Sequence, residues 1–132
     1  MKEIKEIPVG VSVTPISQPT PFTQVVALGE RGPGGAFHHY AVLEIKEGPE
    51  PNSRILAEID FQEGPFKQVG ANGCLEPDLL TMILDRLTAF QAGEFSCREN
   101  ALVATKVQEA LMWSEERRKD RVKRGVYSTM EK

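Results

Sequence analysis

The 132-residue chain is poor in the features that usually settle a function class. It has two cysteines, Cys74 and Cys97, and no apolar run approaching the roughly 20 residues that cross a bilayer. Two thiols without a leader-like N-terminus point to a reducing, cytosolic setting rather than a disulfide-stapled secreted fold, and no membrane-crossing helix is expected. The only histidines, His38 and His39, are adjacent and on a strand would face opposite ways; neither cysteine stands at finger-like spacing from them, so no metal site is expected. No Ser/His/Asp arrangement or close carboxylate pair recurs at informative spacing, so no catalytic residue and no cofactor are expected. The stretch "GERGPGG", Gly29 to Gly35, lacks the lysine of a phosphate-binding loop and reads as a hairpin connection. There is no internal repeat or low-complexity tract.

What is present is a local excess of positive charge. The chain carries net −3 with a pI near 5.5, yet "SEERRKDRVKRG", Ser114 to Gly125, holds six Lys or Arg against three Asp or Glu. That segment contributes +3, which leaves −6 on the remainder. A non-specific DNA binder usually has a high pI, so a small anionic ligand or the acidic residues of a partner chain fit better.

Periodicity divides the chain in three. Residues 1–21 contain four prolines and no sustained period, and read as an extended arm. Residues 22–74 read as a small antiparallel sheet of two or three strands: "TQVVALGE", then "FHHYAVLEI", then, after the polar turn "KEGPEPNS", "RILAEIDFQ". Alternation assigns His39, Ala41, Leu43 and Ile45 to one face, and Ile55, Ala57, Ile59 and Phe61 to one face. A turn-rich stretch, Glu63 to Gly73, leads into residues 75–132, read as a helical hairpin that forms one compact domain with the sheet. The fold class is therefore α+β.

The first helix starts near Pro77 with Glu76 and Asp78 at its positive dipole end, and Leu79, Leu80, Ile83, Leu84, Leu87 and Phe90 form its apolar stripe. Gly93 closes it. The second starts at "SCRE", where Ser96 and Glu99 have capping-box spacing, and runs to about Arg124, with Gly125 as a left-handed stop. At ~1.5 Å per residue the two helices are ~22 and ~42 Å long. Residues beyond about Leu111 outrun their partner and must pack on the sheet or on another chain, which makes a homo-oligomer the expectation. Core packing is the ordinary reading for Phe90, Met112 and Trp113.

On the second helix Asn100, Val103, Val107, Ala110, Leu111, Ser114, Arg118 and Arg121 share one broad side, with Arg117 at its edge. Glu115 can serve Lys119 or Arg118, and Asp120 can serve Arg124, Lys123 or Arg117. Arg121 finds only Arg117, Arg118, Arg124 and Gly125 at those offsets, hence no carboxylate on its own helix. Two readings stay open: a solvated helix end whose cations favour the negative dipole terminus, or an anion or interchain site.

The run from Phe61 to Val126 resembles phage proteins with the hairpin domain shared by Thoeris anti-defence and anti-CBASS proteins. The telling pieces are "DRL" leading into "FQAG", then "CRENAL", "EALMW" and the arginine spacing that ends in "RGV". With the strands before it the chain is similar to the first Thoeris anti-defence type, which has a small β-domain ahead of the hairpin. The resemblance implies a non-enzymatic sponge acting in the cytoplasm of the infected host. Its partner would be a small signalling nucleotide, a cyclic ADP-ribose isomer made by TIR-domain proteins; the alternative is sequestration of CBASS cyclic di- or trinucleotides, alone or at a second site of a hexamer. It also implies a pocket in which Phe90 stacks on adenine, Asn100 is a polar contact, and Arg117 and Arg121 hold the pyrophosphate. Base and pyrophosphate chemistry suit a π-face and permanently charged forks.

Asn100 and Arg117 lie on one helix, ~26 Å apart, too far for one ADP-ribose-sized ring to touch both. If all four residues line a pocket, Phe90 and Asn100 come from one chain and Arg117 and Arg121 from another. A two-fold dimer, itself expected to assemble to a hexamer, would then hold two pockets. After "RGV" the chain has "YST" where the family pattern has an acidic residue, glycine and threonine.

Overall fold

The computed structural model describes residues 6–46 and 54–132. The chain divides into two compact units, Met1–Glu63 and Gly64–Lys132.

The first unit is a four-stranded antiparallel sheet in the order β1-β2-β3-β4, with β1 at Val13–Thr20, β2 at Thr23–Leu28, β3 at His39–Glu44 and β4 at Ile55–Asp60. It has one strand more than the two or three expected. The extra one, β1, lies in the proline-rich stretch read as an arm: that stretch is extended, and it pairs with β2. Two prolines, Pro15 and Pro19, fit there because β1 is an edge strand, where a missing N–H need not break an interior ladder.

Val26, Leu28, Ala41, Leu43 and Ile55 form the buried cluster of this unit, with Ile7 packed against it. Alternation holds in β3, where Ala41 and Leu43 are both buried, but it fails in β4. Leu43 faces Ile55 and Val42 faces Ala57, so Leu56 is the extra residue of a bulge. The bulge leaves Ile55 with the core residue Leu43 and puts Ala57 and Ile59 opposite Val42 and Tyr40. The polar turn expected between β3 and β4 lies outside the described residues except for Lys46. The glycine-rich stretch is the β2–β3 connection: Arg31 donates to the Gly35 carbonyl at 3.0 Å and stacks over Phe37 at 4.4 Å.

The second unit opens with a short helix, α1 at Phe66–Val69, inside the segment read as turn. The hairpin follows: α2 at Glu76–Gln91 and α3 at Arg98–Lys123, packed on each other. Asp78 caps α2 by accepting the Leu75 N–H at 2.8 Å, which places a carboxylate on the positive dipole end. At the other hairpin end the closure differs from expectation. Gly93 does not take the left-handed conformation. The Gln91 side chain instead grips the main chain of Cys97, accepting its N–H at 2.9 Å and donating to its carbonyl at 3.0 Å. The cap of α3 is therefore Cys97 rather than Ser96, its Sγ accepting the Asn100 N–H at 3.4 Å.

Gly125 ends α3 as expected, with φ of 74°. Its N–H donates to Val122 and the Val126 N–H reaches back to Arg121 at 3.0 Å, the paired bonds of a Schellman stop. No described residue of α2 is buried, and in α3 only Arg121 is.

Candidate functional site

The four residues singled out in the sequence fall into two groups at opposite ends of α3. At the hairpin turn, Phe90 ends the apolar stripe of α2 and is half-buried. Phe95 meets its ring edge-on with centroids 6.2 Å apart, and the Arg86 guanidinium lies 5.1 Å from its centroid. Asn100 sits in the first turn of α3, half-buried, and its side-chain amide has no partner among the described residues. The Gln91–Cys97 grip ties the end of α2 to the start of α3, so it fixes the two segments that carry Phe90 and Asn100. This end offers an aromatic face, an amide and a cation.

The basic end is built differently. Arg118 donates through Nε to Glu115 at 2.9 Å and through Nη2 to the other carboxylate oxygen. That hydrogen-bonded pairing holds Arg118 above and Glu115 below their ordinary values. Arg124 pairs with Asp120 at 2.9 Å, and Lys119 with Glu116 at 3.7 Å. Among the described residues the other three bases of the segment, Arg117, Arg121 and Lys123, have no carboxylate partner. Arg117 is exposed.

Arg121 is 7% exposed, the one buried charged residue among those described. Its Nη2 donates to the carbonyls of Val126 at 2.8 Å and Thr129 at 3.2 Å. The compensation sought for this cation is thus a pair of neutral main-chain oxygens, which satisfy donors without cancelling charge. A buried cation solvated by carbonyl dipoles remains a strong electrostatic attractor for an anion.

The residues after the helix make this possible. Gly125 turns the chain back, Thr129 donates its hydroxyl to the Val126 carbonyl at 2.6 Å, and Ser128 sits at φ of 60°. A non-glycine residue there costs roughly 1 kcal/mol, so the surrounding bonds must hold the turn in place.

Core packing, the ordinary reading for Met112 and Trp113, does not hold within the chain: they are 67% and 69% exposed. Both sit near the last turn of α3 that α2 can reach, and their side chains are left exposed in the single chain. Met82, Ile83, Leu102, Val103 and Val122 are also exposed on the two helices.

The sequence reading missed Arg86, Phe95 and Gln91. Arg86 precedes Phe90 by four residues, the spacing at which helical neighbours meet, and that was the available signal. In the sheet unit, His39 bridges Asp60 at 2.8 Å and Glu63 at 3.2 Å. The Asp60 hydrogen bond is the main cause of a pKa raised above 6.5. Among the described residues no cluster of three His, Cys, Asp or Glu could hold a metal ion, and no helix is long and apolar enough to cross a membrane.

The family model of the Acb2/Tad1 hairpin domain matches residues 53–118. Phe90, Asn100 and Arg117 lie inside that range; Arg121 follows it, and β1 to β3 precede it. Among curated proteins, "Thoeris anti-defense 1" of Bacillus phage SBSphiJ7 is 51% identical over 77 residues, which cover 58% of this chain and 54% of the relative. The chain thus spans about half the length of the curated relative it matches.

Proposed function

The chain belongs to the Acb2/Tad1 hairpin-domain family, and from that premise we propose that it is a phage anti-defence protein: a sponge that captures cyclic ADP-ribose-type signals in the host cytoplasm without cleaving them and so blocks Thoeris immunity. Support for the anti-Thoeris part comes from the relative's name. The observation that carries the ligand chemistry is the unpaired basic couple: of six cations on the segment, Arg117 and Arg121 lie one helical turn apart and lack carboxylates among the described residues. Two permanently charged guanidinium groups at that spacing suit the two phosphoryl groups of a pyrophosphate.

Phe90 and Asn100 supply the complementary half, an aromatic face for adenine and an amide for a base edge or ribose. Since ~26 Å of helix separates Asn100 from Arg117, each pocket takes its two halves from different chains. The apolar residues left open on the hairpin, Trp113 and Met112 foremost, give two such chains a reason to associate. An antiparallel pair places each turn against the other chain's basic end, and two-fold symmetry makes two pockets. Among the described residues of the hairpin no group is arranged as a nucleophile with its base, which favours capture over turnover.

The test is calorimetry with the glyco-cyclic ADP-ribose isomers, followed by boiling the complex and weighing the released small molecule by mass spectrometry. A sponge gives binding heat and returns the ligand unchanged. Heat with cyclic di- or trinucleotides alone would move the reading to CBASS signals, and an altered ligand would make the protein an enzyme.

A further inference from the structure

The Val126 carbonyl accepts three hydrogen bonds: from Arg121 Nη2 at 2.8 Å, from the Thr129 N–H at 3.2 Å and from the Thr129 hydroxyl at 2.6 Å. The Val126 N–H in turn donates to the Arg121 carbonyl at 3.0 Å. Arg121 is thereby fastened to the tail at both its main chain and its side chain. Only one of its three guanidinium nitrogens is used: the two tail carbonyls both take Nη2. Neither Nε nor Nη1 is among the buried nitrogens lacking a partner, so both keep access to solvent despite the burial of the residue.

We propose that the turn Gly125–Thr129 is a clasp that positions Arg121 for an anion, with Thr129 as its positioning residue. It locks the guanidinium plane through Nη2, whose donors go to the two tail carbonyls, and leaves the Nε–H and the Nη1 hydrogens as separate donors for an anion. An arginine on a free helix end must lose rotamer freedom when it binds; here that ordering is completed on folding, so more of the interaction appears as affinity. The sequence of the tail differs from the family pattern at "YST", yet the device uses main-chain carbonyls, which any sequence provides, and one hydroxyl. The inference rests on the sponge reading for the identity of the anion, but not for the ordering of Arg121.

Two full-length variants test it. Thr129→Val removes the hydroxyl that braces the Val126 carbonyl, and Gly125→Val puts a β-branched residue at a left-handed position and so throws the tail off the helix. Glyco-cyclic ADP-ribose should bind Thr129→Val about three- to tenfold more weakly, the scale of one bracing hydrogen bond, and Thr129→Ser within about twofold of the wild type. Guanidinium 15N spectra should show hindered rotation for Arg121 in the wild type and averaging in Gly125→Val, with helical circular dichroism unchanged. Free rotation in the wild type, or wild-type affinity in Gly125→Val, would overturn the clasp. If no isomer binds the wild type, the sponge reading falls, and inorganic pyrophosphate titrated against the Arg121 signals decides the clasp. Shifts confined to the wild type support it, and equal shifts in Gly125→Val refute it.

Discussion

Arg121 shows how far single residues can be read from a sequence. Its want of a carboxylate at helical offsets is a matter of counting and needs no structure. The carbonyls that hold it were not countable, because they depend on the path of the chain after Gly125, where a left-handed turn and a strained Ser128 bring Thr129 back to the helix. The partners of His39 were hidden for a related reason: Asp60 on β4 and Glu63 beyond it are brought to the ring by strand register, which spacing does not give. A titration follows from that bridge. The folded pKa of His39 is raised, so its contribution to stability is full below the unfolded value near 6.5 and is lost as pH rises through the folded value. The group is largely solvated, which keeps the effect small. Urea midpoints measured from about pH 5 to about pH 9 should decline through that window in the wild type and not in His39→Gln.

At the scale of elements, the two hairpin helices were legible to within a residue or so, since apolar periodicity and the Pro77 and Gly125 signals mark α2 and α3, whereas the four-residue α1 was read as turn. The sheet was legible in β2 and β3, where hydrophobic alternation is strong. It was misread in β1, whose prolines look like loop residues until the strand is known to be an edge, and in β4, where the bulge at Leu56 breaks the period that the reading assumed. The cap of α3 was misplaced by one residue because the Gln91 side chain, five positions before Ser96, decides where the turn closes. That grip carries a prediction. Gln91→Ala removes two hydrogen bonds at the turn and should lower stability by about 1–2 kcal/mol, read from urea unfolding with an unchanged slope. Because the same grip fixes the ends that carry Phe90 and Asn100, the variant should also weaken ligand binding, while Arg121 keeps its slow guanidinium rotation.

For the whole molecule, a helix of 26 residues packed on one of 16 is the dominant fact, and it was evident from spacing alone. What spacing could not reveal is how bare the longer helix stays: Trp113, the only tryptophan, is exposed in the single chain. If a second copy covers it, tryptophan emission should shift to the blue as concentration rises through the association range, and Trp113→Glu should yield monomers by native mass spectrometry with helical content retained. The central claim, that each pocket is shared between two chains, has a more direct test. Arg121→Ala chains are co-refolded with an equal amount of Asn100→Ala chains, and glyco-cyclic ADP-ribose is titrated into the mixture. Each variant alone should bind little. Random pairing makes half of the dimers mixed, each with one intact pocket, so the mixture should regain about a quarter of the wild-type sites at wild-type affinity. A mixture as inactive as its two components would contradict the account.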